Sequence, residues 1–471
     1  MQATSIAVSD APAGSRSRSM GIGVAAYGWL IASAALLALV FGLAIRIEWL
    51  TPALDAMQAR TFGAALTLHG ALSFYFVLLP LGFTVPALVT LRYLSSAGAL
   101  PFPRLTAWGY GFYAAGLGTL VVYALAGGSE AGWSGANVFG GIFEGARPIG
   151  LAGLCAALSL VAHGIQAASS GGIRTLQLAG MLSIFLPAAG VMALLTGAAL
   201  ALCMTAVLLD GLGGVHLFDP VAGGDPRMYF YAFSMFRSSA LSLVVLAPLL
   251  LSAGWLEPRA EIRVRPRSVW TVAALAVFSA LPLGGTGLAL KFAACSAACL
   301  AIGLLAARMA QRAPMSASER LLPAALFIGG LQALLGQFLL ATPVGAQISG
   351  QTTLESACLH LAAMTSVGFA WPAVALLARS NSGPQSAGLD AFIVAAALVL
   401  FAGIQVTVMP DALTGLHGLS FRANAYPADF QVLKVLGAAG STIFVVGFAL
   451  LYIALWRVVR NSFPAKADAS A

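Results

Sequence analysis

LESACLHLAAMTSVGFAW, residues 354–371, is almost wholly apolar and holds one histidine, His360. At 1.5 Å per residue an 18-residue helix is about 27 Å long, close to the hydrocarbon thickness of a bilayer. Apolar runs of this kind recur down the whole chain of 471 residues, which is 60% hydrophobic and 8% charged. Soluble domains carry about 25% charged residues, so the pattern excludes a soluble protein and predicts an all-α membrane protein.

Twelve spans are predicted, at 22–46, 62–93, 106–128, 149–169, 178–208, 230–256, 268–288, 289–309, 321–342, 353–380, 391–410 and 431–460. The seventh and eighth are separated only by LPLGGTGLALKF, residues 281–292. Basic residues such as Arg16, Arg92, Arg104, Arg174, Arg259, Arg312, Arg379 and Arg457 cluster at one set of span ends. Arginine-rich ends mark the cytoplasmic side, so both termini are expected there, with longer outer loops at 129–148, 209–229 and 411–430. The net charge of +8 is then a topology signal. Scattered loop arginines form no basic patch with aromatics, which excludes nucleic acid as a partner. The expected organisation is a short disordered head (1–20) without a cleaved signal, one membrane domain (21–460) and a disordered tail (461–471). The five cysteines lie in or beside apolar runs with no CxxC pair, so neither a disulfide nor a zinc site is expected. The 52 glycines are spread through the spans, which predicts closely packed helices.

A histidine inside a membrane helix is costly and points to function. His163 falls near the cytoplasmic end of its span, and His216 and His417 fall in outer loops, so these three are read as non-ligands. His69, in FGAALTLHGALSFYF (62–76), and His360 each lie about two turns from the outer side, at a similar depth of about 10 Å. Two imidazoles at one depth on different helices can clamp a planar iron cofactor from its two faces, and Gly70 next to His69 leaves room for a flat macrocycle. From these residues alone, paired ligation and two structural rings remain alternatives.

Several loops carry more information. LFDPVAGGDPRMYFYAFSMF (217–236) resembles the segment before helix VI of cytochrome c oxidase subunit I and other haem-copper oxidases, and GLHGLSFRANAYPADF (415–430) resembles the loop before their last helix. FPRLTAW (102–108), AGW (131–133) and RIEW (46–49) fall where that family has similar stretches. The resemblance covers about 40–110, 129–250 and 325–455, and implies a subunit I-like bundle of twelve helices. In that family one histidine on helix II and one on helix X bind a low-spin haem. A second helix X histidine, two residues earlier, binds a high-spin haem, and three more on helices VI and VII bind copper.

Carried over position by position, the resemblance makes His69 and His360 the low-spin haem ligands. Arg46 matches a position near a haem substituent, and Trp133 and Arg422 match positions near the propionates. Cys358 stands where the high-spin haem ligand belongs, a possible second-haem position; a thiol in an apolar span is a poor thiolate ligand, and the expected reading is a small residue filling an emptied pocket. Ser238 replaces the helix VI copper ligand, and Ala240 and Ser242 replace the glutamate and tyrosine that follow it. No histidine occurs between His216 and His360, so the helix VII copper ligands are missing too. The aspartate that admits protons after helix 2 is absent from SSAGALPFPR (95–104), and the outer histidine–aspartate pair aligns with Gly350 and Gln351.

The implied function is a bis-histidine haem protein for electron transfer in a bacterial cytoplasmic membrane, without copper and with the oxygen-reducing centre lost. The partners expected of it are membrane lipid and other respiratory subunits, a cytochrome c, a copper protein or quinol. Two alternatives stand: an active terminal oxidase or nitric oxide reductase with unconventional ligands, and a non-catalytic assembly or scaffold subunit. A transporter ranks last, because Glu355 is nearly the only carboxylate read inside a span. Arg237 is expected to reach the outer interface, with Glu355 or a propionate as its other partner. Lys291 is expected to mark a helix end or to snorkel.

Overall fold

A computed structural model of the chain describes residues 13–50, 59–94, 102–126, 146–172, 180–210, 215–218, 223–262, 264–284, 287–349, 352–379, 386–419 and 427–462. These residues are helical, with no strand among them. The first helix, α1, is Ala13–Leu50, so it takes in part of the stretch read above as a disordered head. The second, α2, runs from Ala59–Ala71 through two π-helical stretches, Leu72–Leu78 and Pro80–Thr84, into Val85–Leu94. Then come α3 (Pro103–Leu125), α4 (Arg147–Ala168), α5 (Leu182–Leu209), α6 (Pro226–Ala260), α7 (Pro266–Ser279), α8 (Gly287–Ala310), α9 (Ala317–Leu340), α10 (Thr353–Arg379), α11 (Ala387–Leu416) and α12 (Gln431–Ser462). A short helix, Pro343–Ser349, joins α9 to α10.

Ten of the described helices are long and apolar enough to cross a membrane, against the twelve expected. The two that fall short are α3, whose glycines and tyrosines dilute its hydropathy, and α7. At 14 residues, α7 is about 21 Å long, short of the roughly 30 Å of bilayer hydrocarbon. The expected span 268–288 is thus corrected: LPLGG follows the end of the helix rather than completing it. The eleventh boundary also moves. Helix α11 continues through Pro410 to Leu416, so Asp411 belongs to the helix and not to the outer loop 411–430.

In lipid a helix satisfies its own backbone, and what holds neighbours together is close packing and side-chain hydrogen bonding. The α11–α12 seam shows the first. A Cβ on Gly403 would collide with the Phe444 backbone, one on Gly440 with Thr407, and one on Gly447 with Leu400. These glycines let the two backbones touch. Gly403→Val is expected to destabilise the bundle by about 1–3 kcal/mol through overpacking, read as a lower unfolding midpoint in detergent. Ala395→Val, on the exposed face of the same helix, is expected to leave that midpoint unchanged.

At the start of α6, Asp225 accepts from Arg227 N at 2.9 Å and Pro226 opens the first turn, a favourable N-terminal arrangement. The Arg227 side chain holds the Asp225 carboxyl below the usual carboxylate range.

Candidate functional site

Helix α10 packs against α2, α6, α9, α11 and α12, and α1 packs against α2 and α12. The two histidines of interest lie on α2 and α10. His69 Nδ1 is 2.8 Å from the carbonyl oxygen of Ala38 on α1. A carbonyl can only accept, so Nδ1 carries the proton and Nε2 keeps its lone pair. The ring rests against α1 where Gly42 leaves room: a Cβ there would stand 2.9 Å from His69 Cε1. His360 Nδ1 is 3.3 Å from Ser356 Oγ, one turn back on α10. Neither Nε2 has a hydrogen-bond partner among the described residues. Both rings are half-exposed, although 89% of the apolar window in the α2 span is buried.

Charge beside these rings comes from three helices. Arg46 on α1 grips Asp411 on α11 with both guanidinium nitrogens, at 2.9 and 3.3 Å. Lys434 Nζ on α12 lies 3.9 Å from the same carboxylate. The pair is nearly dry, with 14% and 9% of the side chains exposed. Sequence reading found Arg46 but missed Asp411 and Lys434. The signal available was the apolar pattern continuing past Pro410, which makes Asp411 an intramembrane carboxylate. Trp133 and Arg422, the expected propionate neighbours, lie outside the described residues, as do Gly350 and Gln351.

Cys358 and His360 are two residues apart on α10, about 200° around the helix. The Cys358 thiol is turned toward α9, where a Cβ on Gly336 would stand 2.8 Å from Sγ. The position matched to copper holds a different group. Lys291 Nζ on α8 donates to Ser238 Oγ at 2.7 Å, Ser239 Oγ at 3.0 Å and the Leu281 carbonyl at 2.6 Å. Lys291 is 0% exposed, so it does not snorkel; it lies near the start of α8, four residues after Gly287. Its three protons meet three oxygens, which makes burial tolerable. Arg237 on α6 forms an ion pair with Glu355 on α10 rather than reaching the outer interface.

A family model, Cytochrome C and Quinol oxidase polypeptide I, matches residues 23–443. The chain belongs to this family. It is therefore a multi-pass membrane protein related to subunit I of the haem-copper oxidases, and the resemblance read from its loops is correct at that level.

The remaining histidines of this oxidase-family chain separate from the pair. His163 is buried, with Nδ1 3.5 Å from Gln166 Nε2 and its ring beside Tyr27 and Tyr110. His216 and His417 are exposed, and His417 packs 5.5 Å from the Phe430 ring.

The family implies haem, and the residues at His69 and His360 fit it. Each imidazole has Nδ1 occupied by an oriented oxygen and Nε2 available, the arrangement that a ligating histidine requires. Arg46, ion-paired with Asp411 on α11, comes from α1, which packs against the helix of His69.

Proposed function

We propose that this oxidase-family chain is an electron-transfer protein in which His69 and His360 hold one low-spin haem, and that it has lost the oxygen-reducing centre. The observation that carries the reading is the pair of imidazoles with engaged Nδ1 atoms and unpartnered Nε2 atoms. Bound between them, haem supplies reversible one-electron chemistry. The rest is done by the chain. The Ala38 carbonyl fixes the His69 tautomer and orients its ring. Ser356 Oγ, 3.3 Å from His360 Nδ1, orients that ring, and Arg46 and Asp411 contribute charge from α1 and α11. A haem held by both imidazoles would suit electron transfer rather than oxygen chemistry.

Two further observations favour loss of the oxygen site over an oxidase with unusual ligands. Lys291 occupies the space beside Ser238, where the family places a copper ligand, and an ammonium that donates to three oxygens has no lone pair to offer a metal. The Cys358 thiol is turned toward α9 at Gly336, where the missing side chain makes room for it. We place the chain in a bacterial cytoplasmic membrane with its termini inside. Its partners would be a cytochrome c, a copper protein, quinol or companion respiratory subunits.

The test is an optical spectrum of detergent-purified protein, oxidised and dithionite-reduced, with haem and copper quantified and carbon monoxide added. Sharp low-spin bands, no copper and no carbon monoxide shift are expected. A carbon monoxide-binding haem, or cyanide-sensitive oxygen consumption with a reduced donor, would overturn the reading. Cys358→Ala is expected to leave haem content and spectrum unchanged, and a lost haem band in that variant would restore the second-haem site.

A further inference from the structure

Two amides lie in the hydrocarbon, on the outer surface of the bundle. Gln405 Nε2 on α11 donates to Gln332 Oε1 on α9 at 3.3 Å, and Gln332 is exposed. Gln332 is eight residues, about 12 Å, from the end of α9, so the pair sits well inside the apolar layer. Their mutual bond uses one of four N–H groups and one of two carbonyl oxygens. The others have no partner among the described residues, in a medium that offers no water.

The surroundings are patterned. On α9, Ile328, Gln332, Leu335 and Leu339 are exposed and recur at steps of four, three and four. On α11, Leu398, Ala402, Gln405 and Met409 repeat the same steps. This is the spacing of a helix–helix seam, in which a single polar residue sets register. Here two such seams lie side by side, each with one amide and neither covered.

We propose that this double stripe is the interface of a homodimer, in which Gln332 and Gln405 of one chain meet the same amides of a second copy. A two-fold axis along the membrane normal keeps depth unchanged, so the second copy delivers its amides at the level where the first needs them. An amide both donates and accepts, so the pair is complementary to itself. A helix from another protein would need its own polar group at that depth, whereas this chain carries one. The inference is independent of any cofactor.

The test uses the full chain, labelled with donor or acceptor dye and reconstituted in lipid vesicles over a range of protein-to-lipid ratios. Wild type is expected to show energy transfer that falls on dilution into lipid. The double variant Gln332→Leu, Gln405→Leu is expected to need on the order of tenfold higher density for the same transfer, with an unfolding midpoint in detergent equal to wild type. Leu339→Trp, which adds bulk to an exposed position, gives the same test without touching the amides. Absence of transfer in wild type at every density overturns the proposal. So does transfer unchanged in both the double variant and Leu339→Trp, and so does another chain co-purifying on this face in place of a second copy.

Discussion

Replacing His69 by alanine is expected to strip the protein of haem. Wild type should carry about one low-spin haem per chain, as two imidazoles on one iron require. In His69→Ala, and equally in His360→Ala, the reduced low-spin bands should vanish and haem per chain should fall toward zero. Each ring is held by an interaction that survives the other's removal, His69 by the Ala38 carbonyl and His360 by Ser356. The helices should therefore still pack, and the effect should be on cofactor content rather than on folding. His163→Ala is the control: that ring is buried beside Tyr27 and Tyr110 on a different helix, and its loss should leave the spectrum intact. Haem content unchanged in His69→Ala would remove the ligand assignment. Wild type with no haem would remove the electron-transfer reading altogether.

The second large effect is expected at Asp411. Its carboxylate pairs with two cations, Arg46 at 2.9 Å and Lys434 at 3.9 Å. Breaking a buried ion pair by removing one partner costs about 3–5 kcal/mol, because the remaining charge is left without compensation. Asp411→Ala removes the carboxylate that ties α1 and α12 to α11, and its unfolding midpoint in detergent should fall accordingly. An Asp411→Ala protein as stable as wild type would mean that the triad contributes little. Asp411→Asn adds a readout that a purely structural role would not move. Removing a negative charge near an iron disfavours the oxidised state, so the midpoint potential should rise. Lys434→Met should lower it. At an effective dielectric near 20, a unit charge about 10 Å away acts with roughly 1–2 kcal/mol, or tens of millivolts for one electron. Opposite shifts from the two substitutions are the expected signature, and shifts of the same sign would exclude this electrostatic account.

The parts of the site differed in how far the sequence disclosed them, for reasons of range. His69 and His360 stood out because a polar ring in an apolar run is a local anomaly. Cys358 and Ser238 were singled out only because the resemblance to a family pattern assigns those positions. Ser356 was within reach, four residues before His360 on the same helix face. The Ala38 carbonyl carried no sequence signal, since any residue has one. Lys291 was misread as snorkelling, because from its own helix nothing indicates that Ser238 and Ser239, more than fifty residues earlier, come to surround it. For Arg237 the sequence offered Glu355, a propionate or the outer interface, and the meeting of α6 with α10 selected Glu355. The seventh span was drawn too long because the leucines and glycines of LPLGG continue the hydropathy after the helical hydrogen bonding has stopped at Ser279.

The sequence by itself determined that this is a helical protein of the membrane and that it belongs to the oxidase subunit I family. Lipid imposes that result, because each spanning segment must satisfy its own backbone, so the pattern that specifies it is contiguous. Only the tertiary structure decided what the charged and polar groups do once inside. The Arg46–Asp411 pair joins residues 365 apart, Lys291 fills the space at Ser238, and Cys358 closes on Gly336. Such pairings depend on which helix faces meet, and helix faces meet through close packing of small residues, a property of pairs of helices that no single segment records.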